Sequence, residues 1–227
     1  MRKILLTLLL SFPLFAGFFP SSVHTSIQSV NGKTSTLNKA FPINGMTGVV
    51  IHNYGKGLNA ITSRISQISS NGETKLLSVG VIQHEELPTI NTAVQRGDKV
   101  IGGYLYHNVL LLAPDADTYA RVTKSYHKKW IHPDLFALYI AGEGEGRASK
   151  ENLANFAKKY QIGLVYIVDR DSERLVDPIS GKTIAKKARV GSTSKGMFPF
   201  YMRFGELETG WFGGTETGEY YQAMGTL

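Results

Sequence analysis

Two Gly-Lys-Thr triplets in this chain have residue types and spacing that could do chemistry. The pattern is typical of phosphate-binding loops. The triplets lie at Gly32-Lys33-Thr34 and Gly181-Lys182-Thr183. A phosphate-binding loop also needs a glycine five residues before the first one and a strand-to-helix context, so that backbone N–H groups cradle the anion. Ile27 and Val176 occupy those positions. Both triplets are therefore predicted to be turns.

Histidines and carboxylates could form a metal site or an acid–base pair. His127 and His132 lie five residues apart, whereas metal ligands on one helix face lie three or four residues apart. His84 beside two glutamates comes closest to such a cluster, but its preferred interpretation is a solvated strand end. The chain has no cysteine, which removes thiolate nucleophiles and cysteine-ligated metals. We therefore expect no enzymatic activity, no cofactor and no metal site.

The first sixteen residues have the order of a secretory signal peptide. Arg2 and Lys3 form a short basic region, residues 4–10 are apolar, and Ala16 precedes Gly17 at the expected cleavage point. The apolar run is shorter than the about 20 residues that a membrane-spanning helix needs. We expect an exported protein with no transmembrane span after cleavage. An uncleaved membrane anchor is the alternative.

The composition is that of a globular protein with a basic surface. Of the 227 residues, 42% are hydrophobic and 19% are charged, and the formal net charge is +7. Removal of the signal peptide takes away two of the basic residues. The remaining excess favours acidic partners such as anionic head groups or acidic protein surfaces. Nucleic acid is not an expected partner, since the sequence has no recognition motif for it.

The hydropathy pattern predicts an α+β protein that begins with a small β-barrel or rolled antiparallel sheet. Residues 17–44 are rich in Ser, Thr and Asn and are expected to form a loose lead-in that could add an edge strand. Residues 45–114 contain short β-branched runs separated by Gly and Asn turns, which are typical of a barrel. The strands expected here are Thr47–His52, Asn59–Ile68, Thr74–Gln83, Lys99–Tyr106 and Val109–Leu112. Asn71-Gly72 is expected to form a type I′ hairpin turn.

Residues 115–204 are expected to form an α+β domain of about three helices and a small sheet. The first helix is predicted to present Tyr119, Val122, Tyr126 and Trp130 on its apolar face. A second helix begins at Pro133, and a third is capped by Ser149 and has Leu153, Phe156, Ala157 and Tyr160 on its inward face. Residues 164–168 are predicted to form a buried central strand. The tail at residues 205–227 is expected to be weakly ordered unless its aromatic residues dock on the body.

This succession resembles the N-terminal domain of the plasminogen-binding cell-envelope proteins of Gram-negative bacteria. The similarity runs from about Gly45 to Phe204. The stretches that carry it are 45–51, 97–102 leading to 108–114, 119–126 followed by 132–136, and 155–163. The resemblance implies an exported, non-enzymatic binding protein at the cell surface or in the periplasm.

The resemblance also implies that lysines bind the partner. A kringle, the lysine-binding module of plasminogen, pairs an ammonium with acidic residues, holds the stem against aromatic rings and receives a carboxylate. This chain ends in Leu227 instead of lysine, so internal lysines near a carboxylate become the candidates. They form three pairs, expected on two helices and a strand: Lys128 and Lys129, Lys158 and Lys159, and Lys186 and Lys187. The alternative for each pair is a solvated surface.

A second function remains open from the sequence. The chain could be a periplasmic structural or assembly protein that docks on an envelope complex. Aromatic residues are enriched at protein interfaces, and the contact residues would then be Trp211, Phe212, Tyr220 and Tyr221.

Overall fold

The structure is a computed structural model, and it describes residues 17–79, 92–143, 148–190, 196 and 220–227. The expected signal peptide, the cluster at residues 84–86, the strand expected at residues 197–204, and Trp211 and Phe212 lie outside the described residues. Among the helices in the described part of the chain, none has the length and apolar character to cross a membrane.

Six antiparallel strands form a closed barrel in the spatial order β1-β2-β5-β4-β3-β6, with β6 pairing back to β1. Their bounds are β1 (Val23–Asn31), β2 (Thr34–Leu37), β3 (Thr47–Gly55), β4 (Leu58–Gln67), β5 (Glu73–Val79) and β6 (Lys99–Gly102). Ile27, Val50, Ile65 and Val100 are buried in one cluster with the residues of the second sheet. Closure pairs the edge strands, which would otherwise invite aggregation.

Phe41 fills the barrel next to two glycines. A Cβ added to Gly102 would lie 2.5 Å from the Phe41 ring, and a Cβ added to Gly48 would lie 3.1 Å from it. The Gln67 side chain holds the backbone of Phe41, accepting from its N–H at 2.6 Å and donating to its carbonyl at 3.0 Å. The ring therefore occupies the space that the two glycines leave open.

The barrel differs from the sequence-based prediction in four details. The strand expected at Lys99–Tyr106 ends at Gly102, because Gly103 has a φ of +67° and begins a turn. Two of its strands, β1 and β2, lie in the segment for which a loose lead-in was expected. The strand expected at Val109–Leu112 does not join the barrel but belongs to a second sheet. At the Asn71-Gly72 turn, Gly72 has a φ of +86° and Asn71 has no positive φ, so the type I′ assignment is wrong.

The second sheet has the strand order β11-β10-β9-β7-β8. Its strands are β7 (Asn108–Leu112), β8 (Lys129–Ile131), β9 (Leu164–Val168), β10 (Ser172–Asp177) and β11 (Lys182–Ala188). β7 runs parallel to β8 and β9, whereas β10 is antiparallel to β9 and β11. All five residues of the central strand β9 are buried, as the sequence predicted.

Four helices accompany this sheet in the described residues: α1 (Ala116–Ser125), α2 (Pro133–Gly142), α3 (Lys150–Tyr160) and α4 (Tyr220–Gly225). The predicted Ser149 cap is present, since Ser149 accepts from the N–H of Asn152 at 3.1 Å, and Asp115 caps α1 by accepting from the N–H of Thr118 at 2.7 Å. The closed barrel followed by a mixed sheet with helices confirms the α+β class with an N-terminal barrel. The division into two domains meeting near residue 114 stays a prediction.

The sheet separates two hydrophobic clusters by strand alternation. In β9, Leu164, Tyr166 and Val168 belong to the cluster shared with the barrel and α1. Val165 and Ile167 belong to the cluster that contains residues of α2, α3 and α4. Successive side chains of a strand point to opposite faces. The barrel and the α2–α3 pair therefore lie on opposite faces of the second sheet.

A buried carboxylate joins the barrel to the second sheet. Asp177, the last residue of β10, is fully buried. One oxygen accepts from the N–H and the hydroxyl of Thr47 and, at 2.8 Å, from the hydroxyl of Tyr106. The other accepts from the N–H groups of Ile179 and Ser180, at 3.0 Å each. Burial raises the pKa of Asp177, and the hydrogen bonds oppose that rise without cancelling it.

Candidate functional site

The six predicted lysines divide into two groups. Lys128 and Lys187 are partly buried, while Lys129, Lys158, Lys159 and Lys186 are exposed. Lys158 and Lys159 lie on α3 and Lys186 and Lys187 lie on β11, as predicted. The helical placement of Lys128 and Lys129 is wrong, because α1 ends at Ser125 and Lys129 begins β8. The apolar spacing continues to Trp130, but pairing with β7 makes that segment a strand.

The two partly buried lysines lie against an aromatic cluster that consists of Phe18, Phe19, Tyr126, Trp130 and Tyr166. Its ring centroids are 5.0 to 6.4 Å apart in the closest pairs. The cluster ties the segment that precedes β1 to the face of the second sheet.

Lys128 and Lys187 place their ammonium groups over rings of this cluster. The Lys128 Nζ lies 4.4 Å from the centroid of Phe19, and the Lys187 Nζ lies 4.7 Å from that of Phe18. Such cation–π contacts hold the lysine heads within the molecule. Lys128 also donates to the carbonyl of Tyr106 at 3.3 Å, and burial lowers its pKa. The ammonium groups of both lysines are therefore engaged by contacts within the protein itself, which makes them less accessible to a partner.

Lys187 also belongs to a charged group on the same face. Its Nζ lies 2.8 Å from Glu173 Oε2 and donates to the Tyr126 hydroxyl at 2.8 Å. The Tyr166 hydroxyl donates to the same carboxylate. Burial alone would lower the pKa of Lys187 and raise that of Glu173. The hydrogen bonds and the opposite charges outweigh burial, so the pKa of Lys187 is raised and that of Glu173 is lowered.

We expect Glu173→Gln to reduce the loss of stability in acid. Since the folded-state pKa of Glu173 lies below its ordinary value of 4.5, the carboxylate stabilises the fold above that value. This contribution is lost as the pH falls through the folded-state pKa. Between about pH 7 and about pH 3 the free energy of unfolding should fall by about 1 kcal/mol more in the wild-type protein than in the variant. Urea denaturation at both pH values measures this, and equal falls would contradict the assignment.

The exposed lysines of α3 lie in a surface that we call the α2–α3 patch, which consists of Tyr139, Glu143, Lys158, Lys159 and Tyr160. The Nζ of Lys159 forms an ion pair with Glu143 Oε1, and the two side chains are 50% and 53% exposed. The ammonium lies 5.9 Å from the ring of Tyr139, whose centroid is 6.5 Å from that of Tyr160. The hydrogen bond that the ammonium donates to Glu143 raises the pKa of Lys159.

The local sequence explains why this patch forms. Both lysines lie in the last turn of α3, where the helix dipole favours cations. Gln161 takes a left-handed conformation with a φ of +54° and ends the helix. Glu143 directly follows α2, and its N–H donates to the carbonyl of Tyr139 at 2.8 Å. Packing of Tyr139 on Phe156, with ring centroids 5.3 Å apart, brings the C-terminal ends of the two helices together.

Two members of the α2–α3 patch, Glu143 and Tyr160, could not be identified from the sequence as neighbours of the lysines. Glu143 directly follows α2 and lies 16 residues from Lys159 in the sequence. Tyr160 was predicted to face inward, and it is 42% exposed. A signal was available, since Glu143 follows one helix and the lysine pair ends the next, but the packing of α2 on α3 that brings them together is a tertiary feature.

Lys129 and Lys186 lie elsewhere on the surface. Lys129 is the first residue of β8. Lys186 pairs with Arg174 across β11 and β10, on the face opposite to Lys187. Within the described ranges, neither side chain forms an ion pair. The structure therefore does not gather the six lysines into one site.

The aromatic residues of the alternative function are only partly accessible. Tyr220 is fully buried and donates its hydroxyl to the carbonyl of Leu112 at 2.7 Å, so the prediction that it contacts a partner is wrong. Tyr221 is half-buried and stacks with Arg170, whose guanidinium lies 4.6 Å from the ring centroid. Of the expected tail, residues 220–227 therefore dock on the body through α4.

A histidine–carboxylate pair lies on the barrel. His52 Nδ1 is 2.7 Å from Asp98 Oδ1, and Asp98 also accepts from the N–H of Gln95 at 2.8 Å. Gly97 has a φ of +93°, so the segment that carries Asp98 is a tight turn. A search of the described residues for three or more neighbouring His, Asp or Glu side chains that could hold a metal ion finds none.

Comparison with known proteins gives one match. A family model described as "Plasminogen-binding protein pgbA N-terminal" matches residues 22–225. Neither a curated protein nor a solved structure matches the chain. The matched range begins before β1 and ends with α4, so it extends beyond the stretch from Gly45 to Phe204 on which the resemblance rested. The chain therefore belongs to the plasminogen-binding protein pgbA N-terminal family.

Proposed function

We propose that this protein is an exported, non-enzymatic binding protein of the cell envelope that engages the kringles of plasminogen through internal lysines of the α2–α3 patch. The family description supports a protein partner. The exposure of Lys158 and Lys159 supports the choice of this pair among the three. Lys128 and Lys187 are less suitable because their ammonium groups contact aromatic rings of the protein itself.

The observation that carries the proposal is the exposed ion pair of Lys159 and Glu143. A kringle takes a cation and an anion together, and this pair presents both charges with each side chain about half exposed. The other paired lysine of the six, Lys187, has a carboxylate partner that is only 6% exposed. An ion pair between solvent-exposed side chains contributes little to stability, so a partner can separate the two charges at little cost.

Surface plasmon resonance against plasminogen and isolated kringles tests this function. We expect binding that free ε-aminocaproate competes, because the analogue fills the same lysine pocket. Rising salt should weaken the attachment, since exposed charges act over about 8 Å at physiological ionic strength. Glu143→Gln should also weaken it, because the variant removes the anion and keeps both lysines. Absence of binding, or binding that neither the analogue nor salt affects, would leave assembly on an envelope complex as the function.

Export rests on residues 1–16 and has its own test. We expect the intact mass of the protein from the envelope fraction to correspond to a chain that begins at Gly17 or within a few residues of it. Phe18 and Phe19 pack on the second sheet immediately after that point. A soluble cytoplasmic pool whose mass includes Met1 would contradict export.

A further inference from the structure

The outer face of helix α2 is apolar. It consists of Leu135, Leu138 and Gly142, whose spacing of three and four residues places them on the side of the helix away from its buried residues. Both leucines are 44% exposed. The carboxylate within the helix, Asp134, is only 5% exposed. A surface helix normally turns polar residues outward, as α3 does with Lys150, Glu151, Lys158 and Lys159.

This outer face continues into the α2–α3 patch through Tyr139. Tyr139 follows Leu135 by four residues and Leu138 by one, and residues four apart are neighbours on a helix surface. Its ring lies 5.9 Å from the ammonium of Lys159. The apolar side chains and the proposed lysine contact therefore form one surface, which carries its charges at the C-terminal end of α2.

The size and charge of this surface favour the kringle over two other occupants. The ten residues of α2 give a strip about 15 Å long and about 10 Å wide, which is far smaller than the about 800 Å² that each partner of a stable dimer buries. An anionic lipid surface would repel Glu143, whose side chain is 53% exposed. A kringle instead offers aromatic rings beside its acidic residues. Protein interfaces combine an apolar centre with a polar rim in this way.

We propose that the outer face of α2 is the apolar half of the kringle contact. Leu135 and Leu138 pack against the aromatic rim of the lysine pocket while Lys159 enters it. This inference rests on the proposed function and adds to it an attachment that does not depend on charge. Salt screens the contacts of exposed ammonium groups, whereas it does not screen the burial of apolar surface. The leucines and the lysines therefore leave different signatures in a binding measurement.

Surface plasmon resonance of the protein against isolated kringles tests the inference. Leu135→Gln with Leu138→Gln should weaken binding about tenfold, because glutamine removes the apolar contact and remains a good helix former. Affinity should fall with rising salt as steeply as in the wild type, whereas Lys158→Ala with Lys159→Ala should make that fall shallower. A glutamine variant that binds as the wild type does would overturn the inference and leave the lysine contact standing. Absence of wild-type binding would overturn the proposed function, and the inference with it.

Two control variants separate the apolar contact from an effect on the fold. Leu135→Met with Leu138→Met keeps apolar side chains in a helix-forming residue and should bind as the wild type does. Leu58→Gln with Ile68→Gln changes two apolar residues of the barrel segment that are 65% and 50% exposed, and it should also leave binding unchanged. A loss in either control equal to that of the glutamine variant of α2 would overturn the inference.

Two further measurements test the other occupants. Analytical ultracentrifugation of the protein alone should show a monomer. Flotation with anionic phosphatidylglycerol vesicles should show no binding. A dimer that the glutamine variant of α2 dissociates would assign the outer face to a second copy of the chain, and vesicle binding that this variant abolishes would assign it to a membrane. Either result would overturn the inference.

Discussion

Asp177→Ala is expected to lower the free energy of unfolding by about 3–5 kcal/mol. The carboxylate accepts hydrogen bonds from Thr47, Tyr106, Ile179 and Ser180. Alanine would leave those donors buried without a partner. The variant would also leave the buried guanidinium of Arg64, whose charge Asp177 balances, without its opposite charge. Urea or thermal denaturation measures the loss.

Asp171→Ala is the matched control for this variant. Asp171 is exposed and lies in the turn before the same strand, so its replacement should change stability by less than about 0.5 kcal/mol. Tyr106→Phe removes one of the donors and should cost about 1–2 kcal/mol. An Asp177→Ala protein that is as stable as the Asp171→Ala control would show that the carboxylate does not join the barrel to the second sheet.

Phe41→Ala is the second large effect, with an expected loss of about 3–5 kcal/mol. The ring is 3% exposed and lies against the open backbone of Gly48 and Gly102. Since neither glycine has a side chain to move into the space, the cavity should stay open. The backbone hydrogen bonds with Gln67 hold the segment in place and limit its collapse. Denaturant unfolding followed by circular dichroism measures the change.

Tyr104→Ala provides the comparison, because Tyr104 is an aromatic residue that is 45% exposed. We expect a loss below about 1 kcal/mol for it. The contrast bears on the organisation of the chain, since Phe41 lies in the segment expected to be a loose lead-in. Equal and small losses in both variants would mean that this segment does not contribute to the core.

The strands of the barrel could be predicted from their β-branched runs, but their partners could not. Val109–Leu112 was assigned to the barrel because it follows a barrel strand closely. The run is unbroken and fully apolar, which is typical of a parallel strand covered on both faces, and the same reasoning correctly identified Leu164–Val168. Parallel pairing between these two strands joins residues 55 positions apart, and no local pattern reports such a contact.

The helix that follows shows a limit of periodicity. Asp115 caps its first turn, whereas the spacing of apolar residues predicted that the helix continues to Trp130. Tyr126 and Trp130 do face the core side, but they do so from an extended segment and a strand. Their rings meet Phe18 and Phe19, which lie more than 100 residues earlier. Such long-range contacts favour an extended conformation for this segment, and the local sequence pattern does not report them.

The three lysine pairs could be found from the sequence, but the exposure of each lysine could not. Adjacent lysines on a strand point to opposite faces, so Lys186 is exposed while Lys187 packs on Phe18. On α3 both lysines of the pair remain exposed at the helix end. Two adjacent lysines in the sequence therefore do not imply two exposed ammonium groups. Of the three candidate pairs, only Lys158 and Lys159 are both exposed.

The most direct test of the central claim compares plasminogen binding by two double variants of equal charge. Lys158→Ala with Lys159→Ala removes both cations of the α2–α3 patch, whereas Lys124→Ala with Lys150→Ala removes two exposed cations from helix ends elsewhere. In surface plasmon resonance against isolated kringles, we expect the first variant to bind at least about tenfold more weakly than the wild type. The second should bind almost as the wild type does. Equal affinity of the two variants would contradict the α2–α3 patch as the plasminogen contact.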